Sequence, residues 1–379
     1  KYNKSGSYIS STCYSYDIND NVVKTIDYNV VSGKETPYRY TYYEYDAYDR
    51  LSSYCEINSN TEPTSEKINE SKITYSYDIN DNIISTKYPK KLSPVKELRY
   101  TYNLDNWLVA VTMVISTTSG DKSTKLREYE YNNMGELREV KEYTNPLNCT
   151  NEYTSEKYQY DAFGRITAIK YIENSTKKVR ESYEYTYDKS SNITNERIYN
   201  DYPENVSDKI NEERTYTYDS LNRLVSTSVS NKTTGAVTKY TYTYDKLGNR
   251  TSQNVGGEIT TYTYDGLGQM ISSVTVNKNN QTTSKCVNQY DAKGNLTKTV
   301  DSIKNEVIIY EYDLSNQLVC YRSYKDGKEI LRQENSYDGY GNRISKSENG
   351  KKTYYYYEDG NVLYTTNEYD TVTSINVVG

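Results

Sequence analysis

The chain has 379 residues, a formal net charge of −6 and a mean hydropathy of −0.96. Leu, Ile, Val and Phe together number only 67, a share low enough to raise disorder, but so small a charge does not hold a chain open, and 49 tyrosines supply stiff, strand-favouring apolar surface. The mild acidity, without a basic stripe, argues against nucleic acid as a partner, and no run approaches the roughly 18 apolar residues of a membrane span.

Read along the chain, one phrase organises everything. Tyr-x-Tyr-Asp or a close variant occurs fourteen times, its fourth position falling at Asp17, Asp46, Asp78, Asn103, Asn132, Asp161, Asp188, Asp219, Asp245, Asp265, Asp291, Asp313, Asp338 and Glu358. Neighbouring anchors lie 20 to 32 residues apart, and longer intervals carry polar inserts such as the one from Asn58 to Ser65. Two tyrosines at i and i+2 share one face of a strand. The residue before the anchor is Tyr in every copy, and the residue two before that is Tyr except at Asn288 and Asn335. Three residues after the anchor stands Gly, Asn or Asp, with Ser191 departing; these types tolerate a left-handed backbone, so a turn with positive φ is expected there. Five after the anchor an apolar residue restarts the next strand, except at Arg250 and Arg343. Each unit therefore reads as one β-hairpin. The anchor carboxylate reads as a turn-maker that accepts bonds from backbone amides two residues on.

The clearest copies carry the signature at Tyr218, Asp219, Tyr244, Asp245, Gly248, Tyr264, Asp265, Gly268, Tyr290, Asp291 and Gly294. Lone hairpins are marginal in water, so successive units are expected to pair into one continuous, coiling sheet with two unlike faces. The expected fold is all-β: a single array over residues 1–379 of about fourteen hairpin units. The phrase begins almost at once, the first residue is not Met, and neither end shows a distinct capping sequence, so the array reads as part of a longer one.

The columns Tyr-x-Tyr-Asp-x-x-Gly-Asn/Arg-Leu resemble the YD repeats of the RHS family, from Tyr14 to about Tyr364. That family spans bacterial polymorphic toxins, shells of insecticidal toxin complexes, wall-associated proteins and the animal teneurins. The resemblance implies a long sheet spiralling into a hollow shell, a secreted or cell-surface location, and a toxin or other polypeptide cargo held in cis. Bacterial members close with a self-cleaving Asp-Pro motif, and none of the six prolines here follows an Asp. The resemblance also implies that fourteen repeats are too few to close the longest spirals.

Catalysis finds little footing. There is no histidine, which removes Ser/His and Cys/His nucleophiles and His metal ligands. No phosphate loop occurs, and Gly256-Gly257 fall in a hairpin connection. The Ser119–Lys122 match to Ser-x-x-Lys is too short to carry weight, and paired carboxylates converge only in space. Asp17–Asn21 and Asp78–Asn82 open like calcium loops but place Val22 and Ile83 where the sharp-turn Gly belongs. Five scattered cysteines (Cys13, Cys55, Cys149, Cys286, Cys320) suggest buried thiols, not a disulfide frame or a zinc site. No cofactor and no enzyme activity are expected. The rival to a shell is a cell-surface adhesin binding glycans through tyrosine faces, for which the aromatic stretch Asn349–Gly360 is the best local candidate.

Overall fold

The structure, a computed structural model, describes residues 10–31, 33–144, 146–148, 151–201, 209–358 and 360–376. Within them the chain forms one sheet of 29 strands, from Ser10–Tyr16 to Val372–Ile375, each pairing antiparallel with the next in sequence. The alternation of the sequence is visible in single strands. Along Val237–Tyr244, Tyr240, Tyr242 and Tyr244 are half-buried while Thr241 and Thr243 face water, the two-residue period of a pleated strand.

Each Tyr-x-Tyr-Asp turn also bends the sheet. Opposite the turn the register slips by one residue, as where Tyr244 pairs with Arg250 but Thr243 with Ser252, leaving Thr251 extra. The same slip follows Tyr218, Tyr264 and Tyr290. A bulge of this kind bends its strand and raises the local twist. Repeated at one edge of the strip, it coils the sheet in one sense.

The coil brings the two ends together. Side chains of Lys34–Tyr45 and Leu51–Asn58 pack against Lys351–Glu358 and Asn361–Asn367, and one apolar cluster joins Ile73 and Leu92 to Tyr356, Leu363 and Tyr364. Among the described residues no backbone pairing links the first strand to the last, so the sheet is not a closed barrel. The ends nevertheless overlap through side chains, so the strip makes about one circuit without closing its ladder. From the third strand to the 27th is 24 steps, which at about 4.8 Å each gives a circuit of about 115 Å.

Three short elements depart from pure β-structure. The insert after Asn58 contains the helix Ser65–Ser71, whose Thr64 cap accepts from the Lys67 amide at 3.3 Å. The 3-10 turns Lys90–Leu92 and Pro146–Asn148 lie beside the strands Val95–Tyr102 and Gly120–Tyr131. Near them sits a second cluster of Val95, Leu98, Val111, Met113 and Ile115. Elsewhere the sheet is one layer thick: among the described residues between 151 and 335 the only buried apolar ones are Ala168, Ile198 and Cys320.

Candidate functional site

The repeat signature resolves into three bonded systems. The first is the turn. In the Asp245 copy, one carboxylate oxygen accepts from the Leu247 and Asn249 amides, both at 2.9 Å, and the other from the Asn249 side chain at 2.9 Å. The anchor amide donates to the Asn249 carbonyl, and Gly248 donates back to the anchor carbonyl. Asp219, Asp265 and Asp291 hold their turns in the same way. The asparagine side chain and the turn amides keep the Asp245 carboxyl below the usual carboxylate range, and the turn amides with the Arg223 side chain do the same for Asp219.

The third residue after the anchor has positive φ in thirteen copies, Gly248, Gly268 and Gly294 at 91°, 77° and 86°, and Ser191 at 66° although its type departs from the column. The last copy differs. There Gly360 has φ 78° and Asn361 already pairs with Glu358, so Asn361 opens a strand instead of making the turn. Two turns that the sequence reading missed, at Asn277–Gln281 and Asn367–Thr371, use the same bonds without a preceding Tyr-x-Tyr. A polar anchor followed by a left-handed Asn or Asp is their only signal.

The second system is a ladder of phenols. The tyrosine before twelve of the fourteen anchors reaches back across a hairpin and donates its hydroxyl to the carbonyl at the previous repeat's bulge. Tyr218 bonds Ile193 at 2.7 Å, Tyr244 bonds Leu224 at 2.7 Å, Tyr264 bonds Arg250 at 2.9 Å and Tyr290 bonds Met270 at 2.9 Å. Tyr45, Tyr77, Tyr102, Tyr131, Tyr160, Tyr187, Tyr337 and Tyr357 make the equivalent bond. Phenylalanine would fill the same space but could not close this bond, which accounts for a column of tyrosine alone. The exceptions fit the same logic: Asn288 and Asn335 donate to the carbonyls of Met270 and Leu318 that their own ladder tyrosines also use. Where arginine replaces the apolar residue, its guanidinium lies over tyrosine rings, Arg250 at 5.0 Å from Tyr262 and Arg343 at 5.0 Å from Tyr355.

The third system links one turn to the next. The residue four after an anchor lies over the left-handed residue of the following turn. Where that upper residue is Asn or Arg, the lower one usually accepts a bond: Arg50 to Asp81 at 2.7 Å, Arg165 to Ser191 at 3.0 Å, Asn192 to Asn222 at 2.9 Å, Asn295 to Asn316 at 3.0 Å. Where it is Trp107, Glu136, Gln269 or Gln317, the lower residue is Gly. A Cβ on Gly135 would stand 2.9 Å from the Trp107 ring, and one on Gly294 3.1 Å from Gln269. The choice between Gly and Asn or Asp thus depends on the neighbouring repeat. Gly248 below Arg223 and Gly268 below Asn249 are exceptions: a Cβ on the first would meet open space and on the second only an ordinary contact at 3.6 Å.

The ends meet at a seam around Arg39. Its guanidinium is 2% exposed, donates to the Tyr355 carbonyl at 3.2 Å and to Asn58 at 3.3 Å, faces Glu56 at 3.5 Å and lies 5.6 Å from the centre of the Tyr356 ring. Asn58 donates to the Tyr356 hydroxyl at 2.8 Å, and Tyr356 stacks on Tyr364 with ring centres 4.3 Å apart. Burial pushes the Tyr356 phenol up to about 12 and raises the Glu56 carboxyl despite Arg39. At the overlap's outer end the turn residue Tyr340 meets Tyr14 edge-on at 6.2 Å. The stretch favoured for sugar binding is therefore partly consumed: Tyr356 lies inside the seam.

Cysteines divide differently from the expectation. Cys55 and Cys320 are buried, Cys286 is half-buried and Cys13 is exposed, because in a single-layer wall an outward strand position meets water; Cys149 lies outside the described residues. Among the described residues no group of three or more Cys, Asp or Glu is placed to hold a metal ion. No described helix is long and apolar enough to cross a membrane.

Comparison with known proteins adds the following. Residues 244–280 match the RHS repeat family model, the stretch that holds Tyr244, Asp245, Gly248, Tyr264, Asp265 and Gly268. No curated protein sequence matches the chain. A crystal structure of TcdB2-TccC3-Cdc42 is similar over 97% of this chain and 23% of its own, at 13% identity and a TM-score of 0.48. One of TcdB2-TccC3 without its hypervariable C-terminal region is similar over 98% and 23%, at 12% identity and 0.46. The Photorhabdus luminescens Tc holotoxin pore is similar over 98% and 23%, at 13% identity and 0.43. These are distant likenesses, and the chain spans about a quarter of each of those chains. Residues 244–280 thus carry the RHS repeat, and turns of the same build on either side make the rest of the chain similar to it.

Proposed function

We propose that the chain is a stretch of encapsulating wall in a secreted or surface RHS-type protein, and that the wall isolates a polypeptide cargo carried with it. The observation that carries the reading is the seam: a meander with free ends has no need to bring its third strand onto its 27th, whereas an enclosing wall must. The signature residues Tyr218, Asp219, Tyr244, Asp245, Gly248, Tyr264, Asp265, Gly268, Tyr290, Asp291 and Gly294 serve as wall joints. Their hydroxyls bond the preceding repeat, and their carboxylates and left-handed residues hold their own turns. That use of tyrosine also speaks against the adhesin reading, which needs exposed tyrosine clusters. Polypeptide carried with the wall should resist added protease, and should lose that resistance in Arg39→Ala. Cleavage at the same rate with and without the wall would contradict enclosure.

A further inference from the structure

Two segments stand outside the repeat and face one another beside the seam. One is the insert that carries the helix Ser65–Ser71; the other, residues 87–92, ends in the turn Lys90–Leu92. Between them lies a cleft of about 590 Å³, inside the range of roughly 300–1,000 Å³ typical of small-molecule sites. One wall brings Lys67 and Lys72, the other Lys87, Lys90 and Lys91. Among the described lining residues Glu70 is the single acid. Over the whole chain acids outnumber Lys and Arg, 52 to 46, so the cleft runs counter to the composition.

Partners within the wall neutralise two of the five lysines. Lys72 bonds Glu44 at 2.6 Å, and Lys91 bonds Asp370. Lys67 and Lys90 form no ion pair among the described residues. Lys87 lies opposite Glu97, which Arg99 and Ser85 already bond. Three such lysines against Glu70 leave the cleft net positive. Like charges on facing walls repel, and an anion set between them turns that repulsion into attraction on both sides. Both walls belong to this chain, so the charge they hold between them does not depend on what lies beyond it.

The donor set narrows the anion. The described lining contains lysines and no arginine. Guanidinium forks match planar carboxylates two bonds at a time, whereas ammonium groups act as point charges with three rotatable donors. Such donors suit an anion of more than one charge whose oxygens point in several directions. The Ser71 and Thr74 hydroxyls and the Asn69 side-chain amide line the same cleft as neutral donors.

We propose that this cleft binds a small multivalent phosphate anion, held by Lys67, Lys87 and Lys90 and bridging one insert to the other. The inference is independent of what the wall encloses. Lys91 also lies over the Tyr356 and Tyr364 rings, 5.5 and 5.7 Å from their centres, so the anion steadies a segment that touches the seam.

Calorimetric titration of the chain with tripolyphosphate tests it. The expected result is saturable one-to-one binding that weakens at least tenfold when Lys67→Ala is combined with Lys90→Ala. Lys246→Ala combined with Lys278→Ala removes the same charge from exposed positions elsewhere and should leave binding unchanged. In the unaltered chain, added tripolyphosphate should slow amide exchange at residues 65–71 and 90–92 and leave Leu224–Asn231 as it was. The proposal is overturned by any of three results: no saturable binding at millimolar tripolyphosphate, binding that the first variant weakens no more than the second, or binding that leaves both inserts exchanging as before. A hexaglutamate peptide that binds more tightly than tripolyphosphate would also overturn it, since a carboxylate-bearing segment would then be the better occupant.

Discussion

The seam and the middle of the wall are made from the same repeat and held by different physics. At the seam two layers of sheet press together, and Leu363, Leu92 and Arg39 lose nearly all contact with water. Between about Tyr153 and Lys325 one layer stands with water on both sides, and a strand packs substantially against only its two neighbours. The middle cannot draw on burial, so it depends on backbone ladders, cross-strand pairs of roughly 0.2–1 kcal/mol, and the three bonded systems of the signature. Stability there is a sum of nearest-neighbour terms, whereas the seam is one cooperative contact between residues some 300 apart in sequence, such as Arg39 and Tyr355.

The largest expected effect is therefore at the seam. Arg39→Ala leaves Glu56 without its cation in a buried site and should cost about 3–5 kcal/mol, read by denaturant unfolding. Arg39→Met combined with Glu56→Gln should recover most of that loss. An Arg39→Ala chain as stable as the parent would place the seam among optional contacts.

In the wall, changes should be smaller and local. Gly135→Ala puts a side chain at φ 82° against the Trp107 ring, a left-handed cost of about 1–2 kcal/mol with a clash added. Gly248→Ala, with open space, should cost only the first part. Equal losses at the two sites would mean that neighbouring turns do not set the Gly column. Combining Gly135→Ala with Trp107→Ala should remove the excess.

Tyr244→Phe keeps the ring and deletes the bond to the Leu224 carbonyl, worth about 0.5–1.5 kcal/mol. Amide exchange should quicken in the strands Leu224–Asn231 and Val237–Tyr244 and stay unchanged at the seam. Exchange that quickens everywhere would mean that the wall does not behave as a chain of local joints.

Acid should act on the wall more than on the seam. Asp17, Asp46, Asp78, Asp161, Asp188, Asp219 and Asp245 all hold their protons more weakly when folded. Their contribution is full above the unfolded Asp value of about 3.9 and is lost as pH falls through the lower folded values. Glu56 has the opposite sign, since its folded carboxyl is raised and acid relieves its burial. A pH series by amide exchange should show turn amides opening first below about pH 4, before the seam.

Much of the wall was legible because its signals are local. Period-two tyrosines mark strands, and a polar anchor with a left-handed residue three on marks a turn, from Asp17 to Asp338. What stayed hidden depends on neighbours in space. The phenol ladder needs a bulge carbonyl that only the folded register frees, so tyrosine read merely as a large ring. The Gly or Asn choice at Gly135 and Asn316 depends on Trp107 and Asn295 in the preceding turn. The seam was least visible, because Arg39 and Glu56 look like ordinary strand charges until curvature places Tyr356 on them. The helix Ser65–Ser71 hid inside an insert that reads as polar loop.

Small-angle scattering of the chain, at concentrations where it is monomeric, tests the closing circuit most directly. A circuit of about 115 Å folds into a particle with a maximum dimension well under about 100 Å and a pair-distance distribution depleted at its centre. An uncoiled strip of 29 strands would extend to roughly 135 Å with a ribbon-like tail, and that result would contradict the seam.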